Sequence, residues 1–154
     1  MAVRSLRVRV AVCATRDDDI LLVQHEKAGQ RYWLLPGGGV EMGETLVDAA
    51  RREFTEETGY TVDVGRLIII CEAIEPGGRH IVNLVFAGVI TGGSLAVGHD
   101  RSLRDARWLR RAELTGLEMY PPIGSAVADS WDAGFAGPVQ VLGNVWQARV
   151  PPAG

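Results

Sequence analysis

Lysine is nearly absent from these 154 residues: of the 16 basic side chains only Lys27 is a lysine. A bias in coding composition accounts for that preference without a functional cause. There is also no basic excess. The formal net charge is −3, which argues against general nucleic-acid binding. Cysteine is scarce, with Cys13 and Cys71 alone and both in apolar, strand-like runs. That excludes a disulfide framework and fits buried free thiols in a reducing cytoplasm, although a Cys13–Cys71 bridge stays open. No apolar run reaches the ~20 residues that span a membrane. The opening residues alternate arginine with apolar side chains (Arg4, Arg7 and Arg9 among Leu6, Val8 and Val10). Such a segment is a half-exposed strand, whereas a signal peptide needs an unbroken apolar core. Repeats and linkers are lacking too, so the expectation is one domain over 1–154, with a membrane partner excluded. Hydrophobic residues make up 47%, enough for a packed core.

What the chain does have is segregated charge. Residues 41–57 carry Glu41, Glu44, Asp48, Glu53, Glu56 and Glu57 against Arg51 and Arg52. Residues 101–111 carry Arg101, Arg104, Arg107, Arg110 and Arg111 against Asp105. The basic run reads first as a solvated surface and second as a phosphate contact. The acidic run is harder to explain structurally. Spacings of three and four stack Glu53, Glu56 and Glu57 on one side of a helix. Glu53 and Glu57 repel at i,i+4 by about 0.2–0.5 kcal/mol. Gly59 marks the helix end, so Glu56 and Glu57 fall in the last turn, where the macrodipole disfavours anions by about 0.3–1 kcal/mol. A divalent cation is the simplest reason to keep three acids there.

The surrounding segments read as an α+β protein. Strands are expected over 5–14 and 19–25 around the polar turn Arg16-Asp17-Asp18-Asp19, then over 31–35, 62–75, 80–90, 105–109 and 138–147. Thr45 is placed to cap a helix over 46–58, whose apolar stripe is Leu46, Val47, Ala50 and Phe54. Glu53 and Glu57 border that stripe, Glu56 lies just beyond, and Ala49 falls in the acidic arc, leaving room for a ligand. A second helix is expected over 121–132, with Pro121 and Pro122 at its start. Gly37, Gly38 and Gly39 permit a tight loop, but no Gly-Lys-Ser/Thr follows, which excludes a P-loop.

Written out, the central segment is Gly38-x5-Glu44-x7-Arg52-Glu53-Phe54-x-Glu56-Glu57-x-Gly59-Tyr60. It resembles the box of the Nudix hydrolases, which cleave nucleoside diphosphates linked to another group. Every fixed Gly, Glu and Arg of that box is present. Phe54 and Tyr60 replace residues that are usually aliphatic, and neither is a metal-binding position. The resemblance implies an α/β/α sandwich with a mixed sheet and the box as loop–helix–loop. It implies Mg²⁺ or Mn²⁺ as cofactor, with Glu56 and Glu57 as principal ligands. Glu53 would be a ligand or the general base. Arg52 would orient these carboxylates, Glu44 would be its ion-pair partner, and Gly38 would bring backbone close to the metal.

The reaction implied is metal-dependent hydrolysis of a pyrophosphate bond, with water attacking phosphorus and a nucleoside monophosphate released. The substrate is a small nucleotide: a nucleoside triphosphate, ADP-ribose or a nucleotide sugar. A base outside the box could be Glu72, Glu75, Asp100 or Asp105, the last in an acidic-x-Arg-Trp segment similar to one in many family members. Arg79, Trp33 and Asp105 are the candidate substrate contacts. His25 and His99 show no partner pattern. Pro76 stands near a spacing that marks ADP-ribose pyrophosphatases of this family, but Pro-Gly is also ordinary turn chemistry. A homodimer is a further expectation, since many relatives dimerise. The competing reading is a non-catalytic Nudix-fold module that binds a nucleotide as a sensor; such modules often lose box carboxylates, and this chain keeps them.

Overall fold

Strand β1 (Leu6–Arg16) organises the protein, because it pairs on both of its edges. The computed structural model describes residues 4–149. On one edge β1 runs parallel to β6 (His80–Gly93), from Leu6↔His80 to Ala14↔Gly88. On the other it pairs antiparallel with β2 (Asp19–Lys27) at its end and with β4 (Gly37–Gly39) nearer its start. Beyond β6 lie β5 (Tyr60–Ile74), antiparallel, and β8 (Gln140–Asn144), parallel to β5. Beyond β2 lie β3 (Gln30–Leu34) and β7 (Leu103–Arg110), both antiparallel to it.

Alternation along β1 divides the core into two layers. Val10, Val12 and Ala14 join Ala49, Ala50 and Phe54 of helix α1 (Leu46–Thr58) on one face. Ala11 and Cys13 join Ile123, Ala126 and Val127, around helix α2 (Gly124–Asp132), on the other. The result is the expected α/β/α sandwich on a mixed sheet. Cys13 and Cys71 are both buried and free, and burial pushes their thiols up to about 12 and about 11. Among the described residues no helix is long and apolar enough to cross a membrane.

Helix α1 keeps its expected bounds. Thr45 Oγ1 accepts the Asp48 N–H at 3.1 Å, and Gly59 closes the helix at φ +79° with its N–H on Thr55 O. Its buried face differs from the expected stripe. Leu46 in the first turn is 38% exposed, and Ala49 is fully buried in the core instead of beside a ligand. Phe54 is fully buried, and its truncation to alanine should cost about 3–5 kcal/mol.

Other boundaries move for local reasons. The glycine loop becomes β4, because a chain without side chains can lie against β1; a Cβ on Gly37 would overlap Val10 O. Helix α2 starts at Gly124 instead of 121, since Pro122 forces Pro121 away from the helical region. Strand β8 is shorter than the expected 138–147, and the Pro-rich end at 150–154 lies outside the described residues. Pro76 and Gly77 (φ +69°) occupy the centre of a turn closed by Gly78 N–H on Glu75 O, the geometry of a type II turn.

Candidate active site

The end of α1 that carries the glutamates meets β4 edge-on. Glu57 is 4% exposed and engaged at both oxygens. Gly37 N–H donates to Oε1 at 2.7 Å, and His25 Nε2 lies 2.8 Å from Oε2, which requires a hydrogen between them. Glu53 packs against Gly38, where a Cβ would fall within 2.6 Å of both carboxylate oxygens. Glu56 points outward, its side chain 58% exposed. The three acids thus run from the core's edge to solvent, as their positions on the helix imply.

Arg52 ties this group together with all five of its donors. Nε and Nη2 grip Glu44 at 2.7 and 2.9 Å. Nη1 reaches Glu53 at 2.8 Å and Glu56 at 3.4 Å, while Nη2 also donates to Gly39 O at 3.2 Å. These bonds, with a further N–H from Glu41, hold Glu44 down at about 2. Glu53 moves the other way. Burial raises its pKa, Arg52 opposes the shift, and the charges of Glu56 and Glu57 add to it.

A cavity of about 930 Å³ opens beside these carboxylates. Glu53, Glu56, Glu57 and Gly38 line one end of it, and Arg7, Arg9, Arg79 and Arg149 line the rest with Tyr32 and Tyr120. Arg9 donates to Leu35 O at 3.2 Å and has no carboxylate within ion-pair distance among the described residues. Burial lowers its pKa against the pull of Glu57 and Glu53. The Arg149 guanidinium stacks 3.9 Å from the Tyr32 ring centroid and 5.1 Å from that of Tyr120.

The sequence-based expectations divide cleanly here. Glu44 and Arg52 are joined, and Gly38, Glu53, Glu56, Glu57 and Arg79 face the cavity. Trp33 and Asp105 lie outside it. Trp33 packs against the core beneath Arg107, and Asp105 pairs with Arg107 at 2.6 Å. Strand alternation puts Tyr32, and not Trp33, on the cavity side. Of the candidate bases, Glu75 and Asp100 line the cavity; Glu72 and Asp105 do not. No arginine of 101–111 lines it either. Arg9 and His25 were missed. The N-terminal Arg alternation implied a solvent face, but Arg9 turns into the cavity wall. His25 has partners 32 and 77 residues away, which no spacing rule connects.

The segment 94–102, between β6 and β7, also belongs to the site. Ala96 N–H donates to Thr58 O and Gly98 N–H to Glu57 O, which satisfies carbonyls that the helix end leaves open. Further on, Ser102 Oγ donates to Asp100 Oδ1 at 2.7 Å and lies 2.9 Å from His25 Nδ1.

These residues fit a hard divalent cation. The donors are all oxygen, as Mg²⁺ prefers, and three carboxylates, Glu53, Glu56 and Glu57, line the same cavity. Among the described residues no three such side chains already converge as a closed cage. An ion that keeps several waters needs none.

Comparison with known proteins agrees with this geometry. A NUDIX domain model matches residues 5–129. The human 8-oxo-dGDP phosphatase NUDT18 is 36% identical over 110 residues, 70% of this chain and 33% of that protein. This chain therefore spans about a third of the human relative's length. Phosphatase NudJ of Escherichia coli K12 is 27% identical over 138 residues, 89% of this chain and 90% of that one. A NUDIX hydrolase from Nitrosomonas europaea superposes with a TM-score of 0.75 at 24% identity, over 84% of this chain and 90% of that one. With its box assembled around a cavity and a family match over most of its length, the chain belongs to the Nudix hydrolase family.

Proposed function

We propose that this protein is a metal-dependent pyrophosphohydrolase: it hydrolyses a nucleoside diphosphate linked to another group and releases a nucleoside monophosphate. One observation carries the reading. The box carboxylates share a nucleotide-sized cavity with four arginines, Arg7, Arg9, Arg79 and Arg149. Glu53, Glu56 and Glu57 would hold Mg²⁺ or Mn²⁺, in keeping with a family that uses divalent cations. Bound there, the ion would screen the phosphate oxygens and acidify the attacking water. Arg52 keeps Glu53 and Glu56 turned toward one another, and Gly37 and His25 hold Glu57. Arg9 and Arg79 offer hydrogen bonds to the anionic substrate, and Tyr32 and Tyr120 with Arg149 offer it flat surfaces. Glu53, half-buried and with a raised pKa, suits a second role as proton acceptor. The chain is proposed to work as one domain in the cytoplasm, where its free thiols remain reduced.

Nucleoside triphosphates, ADP-ribose and nucleotide sugars stay in view as substrates. The human relative's name adds 8-oxo-dGDP, and that of a UDP-X diphosphatase of similar fold (TM-score 0.70) adds UDP-linked compounds. A hydrolysis screen over these and dinucleoside polyphosphates, with product identification, tests the reading. Mg²⁺- or Mn²⁺-dependent release of a nucleoside monophosphate is expected, abolished by Glu56→Gln or Glu57→Gln. Undiminished turnover in both variants would overturn the assigned site. Tight nucleotide binding without turnover under any metal would favour a sensor module instead.

A further inference from the structure

We infer that Asp100, acting through Ser102 and His25, is a positioning residue for Glu57 and thereby sets the affinity of the site for its cation. The inference rests on the reading of Glu57 as a metal ligand. Four side chains form an unbroken line: Asp100 Oδ1 to Ser102 Oγ at 2.7 Å, Ser102 Oγ to His25 Nδ1 at 2.9 Å, and His25 Nε2 to Glu57 Oε2 at 2.8 Å.

Hydrogen counting gives the line a direction. A serine hydroxyl has one hydrogen. Asp100 also accepts the Ser102 N–H at 2.8 Å on the same oxygen, and a carboxylate is acceptor-only, so the hydroxyl hydrogen goes to Asp100. The Ser102 lone pairs are then left for His25 Nδ1–H, and the Glu57 carboxylate, also acceptor-only, takes a hydrogen from Nε2, so the line is complete with a hydrogen on each ring nitrogen. Both nitrogens of His25 are therefore engaged by the protein. Although the ring borders the cavity, neither nitrogen is available to a substrate without breaking the line. That separates a positioning role from a binding one. The line is also anchored independently of its side chains: Glu26 N–H donates to Ser102 O at 2.8 Å, and Leu103 N–H to Asp100 O at 3.1 Å. A partner that touches a metal ligand directly, as His25 touches Glu57, typically changes metal affinity by about 10–100-fold when lost.

The test is Mn²⁺ binding to the nucleotide-free protein, followed by electron paramagnetic resonance, for wild type, Ser102→Ala, Ser102→Thr and Asp100→Asn. Thermal midpoints check that each variant is folded, and Asp100, at the surface, provides a variant that should fold even if Ser102→Ala does not. Ser102→Ala and Asp100→Asn, which reach Glu57 only through His25, should weaken Mn²⁺ binding by up to about tenfold. Ser102→Thr, which keeps the hydroxyl, should restore it. At saturating metal the nucleotide KM of Ser102→Ala, whose side chain lies outside the cavity lining, should stay near wild type. Unchanged Mn²⁺ affinity with a raised nucleotide KM in Ser102→Ala would overturn the inference and make His25 a substrate contact. Wild-type protein that binds no Mn²⁺ overturns the metal reading itself and this inference with it; variants that bind as tightly as a binding-competent wild type overturn only the line through Ser102.

Discussion

Arg52 grips Glu44 with two hydrogen bonds, Nε to Oε2 at 2.7 Å and Nη2 to Oε1 at 2.9 Å, and so joins the loop before α1 to the middle of that helix. This pair gives the protein an acid limit. The Arg52 guanidinium holds the Glu44 carboxyl at about 2, below the ordinary glutamate value of roughly 4.3. A depressed carboxylate stabilises the fold fully above its unfolded value and loses that contribution as pH falls through the folded one. Thermal midpoints of wild type and Glu44→Gln should therefore differ most at neutral pH and converge between pH 4.5 and 2. Arg52→Lys should not rescue the pair, because an ammonium cannot make the fork.

Glu53 has the opposite sign. Burial raises its pKa, so its ionised form is the less favourable one in the fold. That penalty is absent below the ordinary glutamate range and complete above the raised value. Without divalent cation, Glu53→Gln should melt higher than wild type at neutral pH, and the gap should shrink on acidification. Millimolar Mg²⁺ or Mn²⁺ should raise the wild-type midpoint and leave the variant's nearly unmoved. Differential scanning fluorimetry with and without metal reads both effects.

Neighbouring glycines should fail differently. A Cβ at Gly37 meets the backbone of Val10 and Ala11, which cannot move without opening β1, so Gly37→Ala should cost about 1–3 kcal/mol or more in a denaturant melt. The atoms nearest to a Cβ at Gly38 are the carboxylate of the Glu53 side chain. Gly38→Ala should fold with near-normal stability and bind Mn²⁺ weakly.

Arg9 should be a substrate residue and not a metal one. Loss of a charge-assisted hydrogen bond of roughly 1.5–3 kcal/mol corresponds to about a ten- to hundredfold rise in KM for the nucleotide. Arg9→Met should show that rise with Mn²⁺ affinity no weaker than wild type, since it removes a competing cation from beside Glu57 and Glu53, and Arg9→Lys should recover part of the loss in KM. Steady-state kinetics at saturating metal provide the check.

The box was legible because a helix converts spacing into direction. Glu53, Glu56, Glu57, Arg52 and the capping residues Thr45 and Gly59 all follow from a 3.6-residue period. Leu46 was misread because in the first turn an apolar residue can still project past the sheet it was expected to cover. Residues that meet through strand pairing were not legible. His25 reaches Ser102 because β2 pairs with β7, where His25 stands opposite Leu103, and it reaches Glu57 only through the packing of α1 on the sheet. Tyr32 and Trp33 are adjacent, and choosing between them requires knowing which face of β3 the cavity occupies. Arg9 looked like a solvated strand residue because nothing in the first ten positions shows what lies over them.

The two amides that segment 94–102 lends to the end of α1 have a consequence for observation. Ala96 and Gly98 donate to Thr58 O and Glu57 O, so their hydrogens can exchange with solvent only when that segment lifts off the helix that carries the glutamates. A Cβ on Gly98 would overlap Glu56 O, so an alanine there would hold the segment away permanently. Deuterium uptake at these two amides would serve as a built-in gauge of how often the carboxylates lose their support, readable without substrate, without metal and without any attached probe.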